Sequence, residues 1–175
     1  GATKPSYLCT AGTWDTCTHT EYGDYTGNYE ANVETKCDGL DNECDGDADD
    51  DFSMTLMDGS TVISGGIGEA CGVGNCAGGT TQCNGAGNGI QCSTESSGSN
   101  NQVSLEICDA KDNDCDGMTD HAGGDGADLI ANNLQSCENQ KGVCSGAKKP
   151  SYLCTNGSWD TCTHTEYGDY TGNYE

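Results

Sequence analysis

The sequence predicts a small disulfide-rich, metal-stabilised tandem-repeat fold, mostly loops and turns with short β-strands, little helix and an elongated form. Three observations predict it. Hydrophobic residues make up only 33% of the 175-residue chain, and that share includes 14 cysteines. Acidic residues number 29 against 6 basic ones. Residues 1–30 recur without a gap as residues 146–175, differing only at Thr3/Lys148, Ala11/Asn156 and Thr13/Ser158. A chain with one Phe and two Trp cannot bury enough apolar surface to offset its ordering entropy unaided. Disulfides and metal ions are the two usual supplements.

The charge excludes several partners. All six basic residues are lysines, so the bidentate guanidinium clamp for phosphate is missing. A net charge of −23 argues against nucleic acid and anionic membrane, which require a basic footprint. It calls instead for divalent cations. No apolar run approaches the ~18 residues of a membrane span. The opening Gly1-Ala2-Thr3-Lys4-Pro5 reads as a mature or excised end. An even, high cysteine count without C-x-x-C pairs points to an oxidising compartment rather than a zinc protein, hence to an extracellular or cell-surface location.

A shorter period lies inside the long one. Cys37 and Cys44 recur as Cys108 and Cys115; Cys71, Cys76, Cys83 and Cys92 recur as Cys137, Cys144, Cys154 and Cys162. The unit is about 71 residues with six cysteines, preceded by Cys9 and Cys17 of a leading unit. The organisation is therefore 1–30, the later part of a leading unit; 31–101, a unit with a Ser/Asn-rich linker; and 102–175, a unit with a Tyr-rich linker. Such an overlap is expected of a window on a longer array.

Local structure is dominated by turns, since Gly-Gly, Asn-Gly and Asp-Gly recur throughout. Short strands are expected at Ser60–Ile63, Thr80–Cys83 and Ser151–Cys154, and a short helix at Asp128–Ser136, where Leu129, Ile130 and Leu134 share a face. Tyr22, Tyr25 and Tyr29, repeated as Tyr167, Tyr170 and Tyr174, have helical spacing. Gly23 and Gly27 favour irregular backbone there. These tyrosines are expected to pack on the unit's own disulfides or on a neighbouring unit.

The aspartate loops carry the chemistry. In the second copy Asp112, Asp114 and Asp116 occupy positions 1, 3 and 5 of a calcium-loop register, with Gly117 at 6, Met118 at 7 and Asp120 at 9. The first copy supplies Asp41, Glu43, Asp45, Gly46, Asp47 and Asp49 in the same register. Calcium takes six to eight oxygens, glycine permits the sharp turn, and position 7 gives only a carbonyl. Position 12 is Phe52 or Gly123 instead of a bidentate Glu. The missing oxygens are expected from Asp50 and Asp51, or from Asp38 and Asp109. Two or more calcium ions are expected, with affinity of roughly 10⁻⁴–10⁻³ M as in extracellular modules.

The pattern Cys-Asp-Gly-x-Asp-Asn-(Glu/Asp)-Cys-Asp-Gly resembles the metal-binding-motif repeats of large bacterial surface proteins, which are similar to a copper-binding surface protein of methanotrophs. Gly72-Val73-Gly74-Asn75-Cys76 and Leu153-Cys154-Thr155-Asn156-Gly157-Ser158-Trp159 also resemble later segments of that family. The resemblance implies a secreted or surface-attached protein and leaves the metal open. Copper prefers His and sulfur ligands, whereas His19, His121 and His164 are scattered and the loops offer oxygen.

Local cysteine pairing is the simplest expectation: Cys9–Cys17, Cys37–Cys44, Cys71–Cys76, Cys83–Cys92, Cys108–Cys115, Cys137–Cys144 and Cys154–Cys162. A crossed pattern, such as Cys71–Cys83 with Cys76–Cys92, is the rival. No nucleophile elbow or buried carboxylate pair suggests an enzyme. The expected role is structural: a fibre, filament or surface stalk of neighbouring copies, stiffened by disulfides and calcium. A copper-scavenging or glycan-adhesion module is the alternative. Thr16, Thr18, Thr20 and the Asn156-Gly157-Ser158 sequon offer acceptors for covalent glycans.

Overall fold

The structure, a computed structural model, describes residues 2–120, 129 and 134–172. A 3₁₀ turn at Ser6–Leu8 leads into the hairpin β1 (Cys9–Thr10) and β2 (Thr13–Trp14), in which Cys9 pairs with Trp14. Helix α1 (His19–Tyr25) follows. Residues 26–52 contain neither strand nor helix. Strands β3 (Ser53–Thr55) and β4 (Val62–Ser64) pair. Strands β5 (Ala70–Cys71), β6 (Gly79–Cys83) and β7 (Ile90–Cys92) form a three-stranded sheet in that order, with Cys71 opposite Gly79. The later segment repeats the opening one: a 3₁₀ turn at Ser151–Leu153, hairpin β8 (Cys154–Thr155) and β9 (Ser158–Trp159), then α2 (His164–Thr171).

The hairpin tips follow from their residues. Asn156 and Gly157 have φ of 49° and 76°, and Ala11 and Gly12 have 50° and 82°. Two consecutive positive φ values make the tight turn whose twist suits paired strands, and Asn-Gly is its preferred sequence. Ala11 adopts the same backbone at a steric cost.

Several local expectations change. The strand expected at Thr80–Cys83 lies within β6, and the one at Ser60–Ile63 is displaced to β4. Ser151–Leu153 is a 3₁₀ turn, and extended pairing starts only at Cys154. Pro150 sets φ to −62° and its carbonyl accepts the Leu153 N–H, which tightens the chain there. Most of the helix expected at Asp128–Ser136 lies outside the described residues; Ser136 itself bridges Lys148 in an antiparallel contact. The Tyr-rich linkers are helical rather than irregular. In each, a capping box outweighs the glycine penalty. Thr18 and Glu21, and again Thr163 and Glu166, satisfy each other's backbone N–H groups reciprocally.

The chain divides into two compact units, Gly1–Met54 with Val62–Glu69 and Thr81–Gln91, and Thr55–Thr61 with Ala70–Thr80 and Cys92–Glu175. The first is fastened by Cys37–Cys83. The second carries Cys71–Cys92, Cys76–Cys115, Cys108–Cys154 and Cys137–Cys162. Its small core is Cys137, Cys144, Ala147 and Tyr167, with Cys162 packed against it. Tyr167 thus packs on its unit's own disulfide, and its hydroxyl accepts the Asn139 N–H at 2.7 Å.

These bonds overturn the expected cysteine pairing. None of Cys9–Cys17, Cys37–Cys44, Cys71–Cys76, Cys83–Cys92, Cys108–Cys115, Cys137–Cys144 or Cys154–Cys162 forms, and neither does the crossed pattern; Cys9, Cys17, Cys44 and Cys144 are free thiols. Each bond joins two segments 21 to 46 residues apart. Closing the 46-residue separation of Cys37 and Cys83 removes about 4 kcal/mol of unfolded-chain entropy, against about 2.5 kcal/mol for a bond spanning one aspartate loop. The aspartate loops do not need a local staple, because carboxylates already fold them.

Candidate metal centre

Each loop turns at four matched positions of positive φ: Gly39, Cys44, Gly46 and Asp49 in the first copy, Ala110, Cys115, Gly117 and Asp120 in the second. Side-chain carboxylates hold these turns by accepting backbone N–H groups. Asp41 accepts from Asp45 (3.2 Å) and Gly46 (3.0 Å); Asp112 accepts from Asp116 (3.2 Å) and Gly117 (3.1 Å). Asp45 and Asp116 accept from Asp47 and Met118 in turn. The acid at position 1 thereby bends the loop around itself and brings the carboxylates at alternate positions together, with Asp41 and Glu43 half-buried and Asp45 and Asp47 exposed.

In the first loop one oxygen from each of Asp41, Glu43 and Asp45 lies within 4.8 Å of the others. Glu34, Glu43 and Asp50 form a second such group, and Asp45, Asp47 and Asp50 a third. Because Glu43, Asp45 and Asp50 are shared, the three groups make one acidic pocket. Buried inside it, Glu34 Oε2, both Glu43 carboxylate oxygens and Asp50 Oδ1 have no hydrogen-bond partner among the described residues. A buried carboxylate oxygen without a partner costs several kcal/mol, so the donor set fits a cation. Lysine does not supply the counter-charge: among the described residues, the ion pairs are Lys36–Glu30 and Lys149–Glu138, both outside the pocket. Without a cation, burial and then the Glu34 charge push the Glu43 carboxyl up to about 7. Burial, followed by the charge of Asp45, also raises Asp50.

The second loop repeats the electrostatics. Burial raises Asp114, reinforced by the charges of Asp116 and Asp112, and burial raises Glu106. Met118 is 40% exposed and donates its N–H to Asp116 Oδ1.

Two expected ligand positions serve the backbone instead of the pocket. Asp49 is fully buried and accepts from the N–H groups of Asp38 (2.9 Å) and Gly39 (2.7 Å). Asp120 does the same for Asp109 (2.9 Å) and Ala110 (3.1 Å). Asp38 and Asp109 lie at the loop entrances, where each accepts the N–H two residues on, from Leu40 and Lys111. Asp49 and Asp120 also sit beside Cys37–Cys83 and Cys108–Cys154. Those sulfurs are in disulfides and are not the thiolates a soft metal binds, so neither cystine is a metal site.

Sequence reading missed Glu34 and Glu106. Both are buried, at 3% and 1% exposure, and accept the N–H of Asn42 (2.6 Å) and Asn113 (2.8 Å). The available signal was an acid shortly before the first cysteine of each motif. It stands three residues before Cys37 but two before Cys108, so comparison at a fixed offset does not align the pair.

Fold and site together define a disulfide-stapled repeat protein with an acidic metal-binding motif in each repeat. A family model described as "Putative metal-binding motif", the Cu-binding MopE model, matches residues 29–50 and 95–121, the two loops with their buried Glu34 and Glu106. The match covers these two segments and not the intervening chain. No curated protein and no solved structure matches. The five disulfides are those of a protein from an oxidising compartment. Among the described residues, no helix is long and apolar enough to cross a membrane.

Proposed function

We propose that the chain is a structural, extracellular or cell-surface repeat protein whose acidic loops bind calcium and whose copies associate into a fibre, filament or stalk. The supporting observation is the pocket of Glu34, Asp41, Glu43, Asp45, Asp47 and Asp50, an all-oxygen set holding four buried, unpartnered oxygen atoms. Hard oxygen donors in a flexible loop suit calcium. With small cores, the units depend on disulfides and bound cations for rigidity, which suits a spacer better than a catalyst. We assign the chain no catalysis, since its carboxylates lie in acidic loops and not in an apolar pocket. The glycan acceptor Asn156 is exposed at a hairpin tip, where a sugar would be tolerated.

The family model's name favours a second reading, a copper-binding surface module. The donor set weighs against it. Copper seeks imidazole or sulfur; the clustered donors of the first loop are carboxylates, while His19 is engaged with Tyr29 and lines a cavity with the free thiol Cys17 beside Glu43, and Cys44 is a free thiol in the loop itself. Calorimetric titration of metal-free protein with calcium and, separately, copper decides between them. Calcium is expected to bind with a stoichiometry of two or more and to raise Tm. Copper binding at the loops, with calcium leaving Tm unchanged, would overturn the calcium reading.

A further inference from the structure

The first loop gathers more carboxylate than one cation balances. Glu34, Asp41, Glu43, Asp45, Asp47 and Asp50 join through three overlapping groups, each with oxygens within 4.8 Å of one another. Ionised, these six side chains carry six negative charges. Neither ion pair among the described residues involves any of them. A single calcium ion leaves four of those charges uncompensated at short range, where repulsion is strong. The groups are also not equivalent. Asp45 and Asp47 are exposed, Asp41, Glu43 and Asp50 are half-buried, and Glu34 is buried. The pocket therefore has an outer end on the aspartate loop and an inner end behind it.

We propose that the first loop binds two calcium ions, an outer one held by Asp41, Glu43 and Asp45 and an inner one held by Glu34, Glu43 and Asp50, with Glu43 bridging them. Glu43 belongs to both groups. Both of its carboxylate oxygens are buried and have no hydrogen-bond partner among the described residues, so each ion can take one. The inference rests on the calcium reading of the loops. It adds an inner site that the alternate-acid register does not contain.

Glu34 builds the inner site. It is 3% exposed, its N–H donates to Asp51 Oδ2 at 2.7 Å, and its Oε1 accepts the Asn42 N–H at 2.6 Å. Both ends of the residue are thereby fixed, and Oε2 is left without a partner. An oxygen of Glu34 lies within 4.8 Å of one from Glu43 and one from Asp50. Asp50 follows the turn at Asp49, which has φ of 56° and whose carboxylate is anchored by the Asp38 and Gly39 N–H groups. Asp50 Oδ1 is likewise buried and without a partner. Three carboxylates from three fixed points of the chain thus converge where no donor meets them, which is costly unless a cation does. Calcium accepts carboxylates together with water to complete its shell.

The second loop has the outer site without the inner one. Asp112, Asp114 and Asp116 stand in the places of Asp41, Glu43 and Asp45, and Glu106 in the place of Glu34, accepting the Asn113 N–H. The position of Asp50 is His121, and that of Asp47 is Met118. Calcium takes oxygen ligands and has little use for imidazole or thioether. The bridging glutamate is also replaced by the shorter Asp114. The second loop accordingly takes one ion, and the chain three.

The test counts ions on the full 175-residue chain. Metal-free protein is titrated calorimetrically with calcium chloride in physiological salt, and the saturated complex is weighed by native mass spectrometry. Three calcium ions per chain are expected. Glu34→Gln keeps an acceptor for the Asn42 N–H and is expected to lower the count to two. Asp112→Asn is expected to remove the second-loop ion, and the double variant to bind one. Lanthanides then test the pairing. On the Asp112→Asn variant, terbium emission is expected to be quenched when neodymium shares the sites, but not when gadolinium does, since gadolinium accepts no energy from terbium. Two calcium ions on the parent, or an unchanged count for Glu34→Gln with its five disulfides formed, overturns the inner site and leaves the calcium reading standing. If Glu34→Gln does not form those disulfides, the lanthanide pair decides: equal emission with neodymium and gadolinium overturns the proposal. A parent chain that binds no calcium sinks both.

Discussion

Replacing Gly74 and Gly142 by alanine separates backbone strain from close approach, because the two glycines occupy the same turn in successive units. Both have positive φ, 54° and 58°, so each substitution carries the left-handed penalty of about 1–2 kcal/mol. Only at Gly74 does the new methyl collide, at 2.3 Å from Asp112 Cγ and Oδ2 and 2.5 Å from its carbonyl oxygen. Relieving that clash moves the turn off the loop. The move costs the hydrogen bond from Asn75 to Asp112, about 1 kcal/mol, and about 1–3 kcal/mol of overpacking. The expected totals are about 3–6 kcal/mol for Gly74→Ala and about 1–2 kcal/mol for Gly142→Ala. For a chain of this size those losses lower Tm by roughly 6–24 °C and roughly 2–8 °C respectively. Thermal unfolding followed by circular dichroism, with calcium present and the protein dilute, reads both. Equal shifts for the two variants would refute the close approach of turn and loop on which the Cys76–Cys115 junction depends.

Three further outcomes are expected. Ala11→Asn should stabilise the β1–β2 hairpin and Asn156→Ala should destabilise β8–β9, each by about 0.5–1 kcal/mol, since both positions require positive φ; chemical denaturation checks the sign. In metal-free protein the Glu43 carboxyl is raised from 4.5 to about 7, so between those pH values the folded state holds a proton that the unfolded state has lost. Stability therefore falls as pH rises through that window; Tm measured on either side of it shows the drop, and Glu43→Gln or added calcium removes it. Asp120→Ala strands the Asp109 and Ala110 N–H groups that the carboxylate receives at about 2–4 kcal/mol, whereas Asp120→Asn keeps an acceptor and should change calcium affinity less than Asp112→Asn does, as calorimetry would show.

Periodicity and composition made the fold class legible. The 145-residue recurrence, the six-cysteine unit and the shortage of apolar residues all describe the repeated, stapled structure observed. The alternation of acids made Asp41, Glu43 and Asp45 recognisable as one group, because a tight loop brings alternate side chains to the same side, within 4.8 Å of one another. The two acids at position 9 share that alternation, but Asp49 and Asp120 are drawn to adjacent backbone N–H groups at the loop entrance, which no one-dimensional pattern distinguishes from a ligand position. Glu34 and Glu106 were hidden by a one-residue change in spacing. The cysteine partners were illegible for a similar reason. Proximity in sequence favours short closures, whereas the observed bonds have separations of 21 to 46 and are dictated by which segments the loops and hairpins bring together. In the linkers, the threonine and glutamate three residues apart were the decisive helix signal, and two glycines concealed it.

The long closures also have a consequence in time. A chain emerging from its N-terminal end presents Cys37 and Cys44 together, while Cys83, the true mate of Cys37, is 46 residues away. Cys76 must also wait for Cys115, 39 residues later. Short loops close fastest, so the first oxidations available to the nascent chain are the adjacent, incorrect ones. Correct pairing then demands either that oxidation be delayed until the 46 residues up to Cys83 have emerged, or that a disulfide isomerase revise the early pairs. The acidic loops, folded by their own carboxylates, are the elements able to form first and to hold Cys37 and Cys108 in place until their distant partners arrive.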